Sequence, residues 1–351
     1  MGIQQQRSQI LGLADAFRVR LTNLLPDDKF TLLTIGKGLN PSVLLAPTPP
    51  ESLSVEKHPQ WPTPILVEWK VFEDPVFKDE DIKRISRLVK ALQAASTGHF
   101  RTPKCLGYLL PSTESHAKCG LVFQAPSEES MPVTLYTLLR EQQAQAGRKV
   151  NIPTLGERFR LAFEIAQALM RWHLAGWVHQ GIASFNVVFF KTSPNTVDYS
   201  RPYLVGFDYS RENDASSTRR RCDQAESEAI RDLYQHPERQ GAAPPKKHQR
   251  KHDLYALGLV LIEIGRWTQL GDIFRNIISK KGGPSLVPDA ARKLTERVLS
   301  HNMGTAYRDA TAASLLGDLG VKEDDEYGTR FIANFESQVV HRLEVGLKLD
   351  E

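Results

Sequence analysis

The stretch Gly176 to Phe190, GWVHQGIASFNVVFF, together with Gly206-Phe207-Asp208 inside YLVGFDYSR (203–211), decides how this chain reads. Ahead of it, Leu155, Phe159, Ala162, Ile165, Ala166, Leu169 and Trp172 recur at helical spacing. That pattern predicts a helix of about five turns, ending at Gly176. Behind it, residues 177–211 read as short strands and turns. A polar loop, His179 to Asn186, is therefore set between a long helix and short strands.

Working outward, Ile65-Leu66-Val67-Glu68-Trp69-Lys70-Val71-Phe72 reads as a strand, and residues 79–96 as an amphipathic helix through Ile82, Ile85, Leu88, Val89 and Leu92. Strand-like runs follow at Cys105–Leu110 and Gly120–Gln124, and from Pro126 the chain turns to long helices. At the start, residues 4–25 carry a helical pattern ended by Pro26, Phe30 to Leu45 is β-like, and Pro47 to Pro64 is a proline-rich loop. Residues 212–252 are a polar, basic loop region, Leu254 to Gly265 is a strongly apolar helix, and helices continue to Leu349. The expected fold is α+β in two lobes of one domain, divided into 1–27 (a helical extension), 28–125 (β-rich) and 126–351 (helical).

Composition narrows the classes. With 41% hydrophobic and 25% charged residues among 351, the chain reads as a soluble globular protein. A net charge of +4 is too small to argue for nucleic acid. Cys105, Cys119 and Cys222 are three, far apart and without C-x-x-C spacing, which fits a reducing cytoplasmic setting and neither a disulfide framework nor a zinc site. MGIQQQRSQI lacks the charged and apolar regions of a secretory signal, and Arg7 stands where myristoylation wants Ser or Thr. No apolar run is long enough to span a bilayer.

The motif order resembles the eukaryotic protein kinase fold. Ile35-Gly36-Lys37-Gly38-Leu39-Asn40-Pro41-Ser42-Val43 looks like the Gly-rich loop with Pro41 for its third glycine, and Val67-Glu68-Trp69-Lys70 looks like V-A-I-K. His179 to Asn186 is similar to H-R-D-L-x-x-x-N. Gly206-Phe207-Asp208 stands for D-F-G, His236-Pro237-Glu238 for A-P-E, and Asp253-Leu254-Tyr255 opens the buried helix. The order of these motifs over about residues 28–345 carries the resemblance. More narrowly, the quoted stretches, YQHPERQG and HDLYALGLVLIEIG resemble kinase-like domains of filamentous fungi. Those are often attached behind HeLo or HET-s-type prion-forming domains; residues 1–27 would supply one helix of such a domain at most.

What the resemblance implies is a dismantled catalytic site. Phosphoryl transfer needs a positioned base, metal ions and a held lysine. The base falls on Gly181, the loop lysine on Ala183 and the D-F-G metal ligand on Gly206. Asn186, the other metal-side ligand, stays in register. Asp208 lies two residues on, which on a strand keeps the face but moves the group roughly 6.6 Å along. Lys70 is the most kinase-like survivor, although the middle of helix 79–96 offers it no acidic partner and only Glu80 and Asp81 lie near its start. Gly36 and Gly38 would let backbone N–H groups approach phosphate, whereas Pro41 removes a donor. Gly36, Gly38, Lys70, Asn186 and Asp208 are thus the candidate nucleotide contacts, with ATP as the possible ligand and magnesium not expected.

The scaffold residues are kept. The resemblance implies a buried ion pair between Glu238 and Arg308, a helix-capping role for Asp253 that also receives catalytic-loop N–H groups, and a bracing role for His179 against 206–208. Gln180 replaces the arginine that grips a phosphorylated segment, so phosphorylation at Ser216, Ser217 or Thr218 beside Arg219-Arg220-Arg221 is not expected to act through it. Three readings follow: a protein-binding pseudokinase, in fungal self/non-self recognition or cell-death signalling with a HeLo/HET-s-type partner; a pseudokinase holding ATP as a conformational ligand; and an atypical active kinase using Lys70, Asn186 and Asp208.

Overall fold

The computed structural model describes residues 53–56, 63–71, 79–95, 98–109, 118–144, 152–193, 196–207, 210–212, 230–240, 247–280, 283–324 and 328–350. The Gly-rich stretch with Gly36 and Gly38, the helix expected over 4–25, Asp208 and the 216–221 cluster lie outside them. Strand β2 (Ile65–Val71) is rich in β-branched residues and pairs antiparallel with β1 (Leu53–Glu56) and β4 (Lys118–Gln124). Strand β3 (Lys104–Leu109) completes the sheet, in the order β1-β2-β4-β3, with a bulge between Cys105 and Gly107.

The period of two along β2 sorts its residues onto two faces. Ile65 and Val67 pack with Leu109 and Val122 on the outer face, with Trp69 and Leu106 against them. Leu66 joins Leu121, Phe123 and Cys105 on the inner face, where helix α1 (Asp79–Ala94) adds Ile85, Leu88, Val89 and Leu92. This inner cluster runs without a break into the core of the helical part. Phe100 meets Trp172 edge-on at 5.2 Å, and Arg101 bridges to Glu164 at 2.7 Å, so the loop before β3 is fastened to the long helix.

After the sheet the chain does not pass directly to helices as the sequence reading has it. Met131–Thr134 forms β5, because Val133 and Thr134 find a ladder partner in β7 (Val187–Lys191), which continues to β8 (Tyr203–Leu204). Helix α2 (Leu135–Ala144) follows. Helix α3 (Leu155–Leu174) begins with a Thr154–Glu157 capping box and gives way to β6 (Trp177–Val178), which pairs with β9 (Arg211–Glu212). Helix α4 (Arg250–Arg266) is buried almost throughout and packs on α6 (Ser300–Leu316), a helix broken at Gly304 and preceded by α5 (Gly283–Leu294). The last helical run, from Thr329–Phe335 to Val345–Asp350, returns to α3. The architecture is α+β with small antiparallel sheets. No helix among the described residues is long and apolar enough to cross a membrane.

Candidate functional site

The loop 179–186 is built around one carboxylate. Asp253 Oδ2 accepts the His179 N–H at 2.7 Å and Oδ1 the Gln180 N–H at 2.8 Å, while the imidazoles of His173 (3.0 Å) and His248 (2.8 Å) lie against the two oxygens. Asp253 is 1% exposed. Burial works against its charge, but His248 and His173 outweigh it and hold the carboxyl well below the usual range. His173 is lowered too, chiefly because burial disfavours its charged form. Asp253 is not the cap that the sequence reading assigns. The helix begins at Arg250 with Gln249 as N-cap, because Gln249 and His252 satisfy each other's backbone N–H groups one turn earlier.

This anchor sets the loop's shape. Gln180 is held at φ 62°, a conformation costing a side-chain-bearing residue roughly 1–2 kcal/mol. The His179 ring lies 4.3 Å from that of Phe207, its Nδ1 accepts the Gly181 N–H at 3.2 Å, and its carbonyl accepts the Ser210 hydroxyl at 2.7 Å. Phe207 is buried against Trp172 at 5.0 Å, so it belongs to the core and does not project into a cleft.

The structure brings Gly181, Asn186 and Gly206 together, and leaves no space among them. Asn186 Nδ2 donates to the Gly181 carbonyl at 2.6 Å. A Cβ placed on Gly206, whose φ is +87°, would lie 2.1 Å from Asn186 Nδ2, and one on Gly181 would lie 2.4 Å from the Gly206 carbonyl oxygen. Real Cβ atoms do not approach so closely, so position 206 cannot carry a metal-ligating carboxylate beside this Asn186 rotamer. Ala183 is 2% exposed in the main core, where a lysine charge would be desolvated.

Glu68 was not singled out from the sequence. It is fully buried, and its Oε2 accepts the Gly206 N–H at 2.7 Å, joining the four-stranded sheet to the loop after β8. The available signal was a carboxylate set in the apolar run Ile65-Leu66-Val67. Lys70 lies two positions further along the same strand, opposite Cys119 in the ladder.

The expected Glu238–Arg308 ion pair is not formed. Glu238 sits in the short turn Pro237–Arg239, where its Oε2 takes Lys251 at 2.8 Å and lies 3.3 Å from His252 Nε2. Arg308 turns to its neighbour Asp309 at 2.6 Å on the half-exposed face of α6. The first turn of α4 has supplied the partner that the other helix was expected to give. The Lys251 bond pulls Glu238 down to about 2, and burial, aided by His248 and His236, pushes His252 down to about 3. Below the loop, the hydroxyls of Ser184 and Tyr234 lie 2.9 Å apart beside buried Glu263, whose Oε1 accepts the Leu270 N–H at 2.8 Å. Burial pushes Glu263 up to about 7. A cavity of about 170 Å³ lies nearby, lined in part by Tyr136, Tyr234, Gln269 and Asp272.

No protein-family model matches this chain, and no curated protein matches it.

Proposed function

We infer that this chain is a kinase-like domain that has lost phosphotransfer and works by binding another protein. The α+β architecture, with a small antiparallel sheet ahead of mostly helical chain, supports the two-lobed kinase-like reading. The observation that carries the loss of catalysis is the filled space between Asn186, Gly181 and Gly206. Phosphoryl transfer depends on metal ions and a base at the reacting phosphate. Gly181 and Gly206 bring no side chain there, and the Asn186 amide is spent on the loop's own backbone. The same geometry weighs against the atypical kinase built on Lys70, Asn186 and Asp208. Glu68 places a buried carboxyl group on the Gly206 N–H, so that backbone donor is already taken.

The partner is a protein whose identity rests on the resemblance alone. That resemblance points to a HeLo/HET-s-type effector in fungal incompatibility or cell-death signalling. The test of lost catalysis is incubation with γ-labelled ATP, magnesium and generic protein substrates. No incorporation above a boiled control is expected. Incorporation that disappears in both Lys70→Ala and Asp208→Ala would overturn the reading.

A further inference from the structure

The turn Pro237–Arg239 and the first turn of α4 bring three donor groups to one point. His236, Glu238 and His252 each offer a ligand atom, and these atoms lie within 4.8 Å of one another. His252 Nε2 and Glu238 Oε2 are already 3.3 Å apart, the edge length of a tetrahedron with metal bonds of about 2.0–2.1 Å. Bringing His236 to the same edge takes about 1.5 Å of movement in a half-buried ring, within the reach of side-chain rotation.

We propose that His236, Glu238 and His252 form a zinc site, with a fourth position open to water, that clips residues 236–238 to the start of α4. Two imidazoles and one carboxylate are a borderline donor set that suits zinc better than magnesium or calcium. Glu238 already holds a cation on the oxygen in question, the Lys251 ammonium at 2.8 Å, and zinc replaces it there with a doubly charged one. The site also stands where the Glu238–Arg308 bridge does not form, so it gives this segment a different fastening.

Loading has a definite cost in ring protons. His252 Nδ1 accepts the Gln249 N–H at 3.0 Å, so zinc at Nε2 moves the ring proton to Nδ1 and opens that bond. His236 Nδ1 accepts the Glu238 N–H at 3.2 Å. Zinc at Nδ1 displaces that bond directly, and zinc at Nε2 moves a proton onto Nδ1 with the same result. Two backbone bonds at roughly fivefold each lower the affinity about 25-fold, which still leaves a three-ligand zinc site in the micromolar range. The same cost supplies a signature, because the Glu238 and Gln249 amides lose their ring acceptors only when zinc is bound.

The experiment uses the tag-free full chain, stripped with chelator and titrated with zinc alone, then with cobalt as a spectroscopic substitute. One equivalent is expected to bind with a Kd at or below about 10 µM, with no thiolate charge-transfer band on cobalt. His236→Gln and Glu238→Gln are each expected to weaken zinc at least about tenfold while keeping the wild-type circular dichroism. In the wild-type chain, zinc is expected to shift the Glu238 and Gln249 amide resonances. No binding at about 100 µM zinc overturns the proposal, as do unchanged affinity in both variants or a thiolate band implicating Cys222. Should both variants fail to fold, the wild-type amides decide: unshifted Glu238 and Gln249 resonances at saturating zinc overturn it too.

Discussion

At Gly206 two constraints act on the same few cubic ångströms: φ is +87°, and the Asn186 amide occupies the place of a Cβ. Gly206→Ala is therefore expected to destabilise the fold by about 2–4 kcal/mol, from left-handed strain plus overpacking, as read by urea denaturation. An alanine tolerated within about 0.5 kcal/mol would mean that Asn186 moves freely and that the space is not fixed. Glu263 supplies a pH effect of unusual sign. Its carboxyl is raised from 4.5 to about 7 in the fold, so the folded chain binds this proton more tightly than the unfolded one. Stability is expected to fall as pH rises through that window, by on the order of 3 kcal/mol in total. Glu263→Gln should remove the slope, and the gap between variant and wild type in thermal scans should widen from pH 5 to pH 8. Gly181, Ala183 and Gly206 were legible in the sequence because at each the kinase resemblance expects a charged group and the residue carries none. That Asn186 folds into the gap was not, since it depends on a rotamer chosen by packing. Glu68 escaped notice because its partner, the Gly206 N–H, lies 138 positions away.

The contrast between α4 and α6 shows which fastenings hold the elements together. Asp253 gathers two backbone N–H groups and two imidazoles inside the core. Removing one side of such a buried arrangement leaves the other unsatisfied, so Asp253→Ala is expected to cost about 3–5 kcal/mol, enough to lower the melting temperature by several degrees. Among the described residues Arg308 reaches only its half-exposed neighbour Asp309, and Arg308→Ala is expected to cost no more than about 1 kcal/mol in the same denaturation series. A loss near 4 kcal/mol at Arg308 would restore the kinase-type Glu238–Arg308 clip. The helical period placed α4 at Leu254 to Gly265, whereas it begins at Arg250. Arg250-Lys251-His252 is polar and gives no apolar rhythm, and Gln249 with His252 is a capping pair outside the usual Ser, Thr, Asp or Asn signal. Strand β5 was missed for a related reason: four residues are too few to show a period, and their ladder partner lies far along the chain.

Across the molecule, one core runs from the inner face of the four-stranded sheet through α1 into the helices around α3 and α4. That continuity explains why strand-then-helix order was readable in the sequence: each element carries an apolar face to the same interior. The two-lobe kinase-like reading places a nucleotide between the sheet and loop 179–186. There Glu68 already reaches from β2 to the Gly206 N–H, and Asn186 closes on Gly181. If this account holds, no nucleotide adds to the stability of the folded chain. Thermal denaturation with and without millimolar Mg-ATP measures this directly, since a ligand at a hundred times its Kd stabilises by about 2.7 kcal/mol. An unchanged melting temperature is expected in the wild-type chain. A saturable rise of several degrees that is lost in Lys70→Ala would contradict the account.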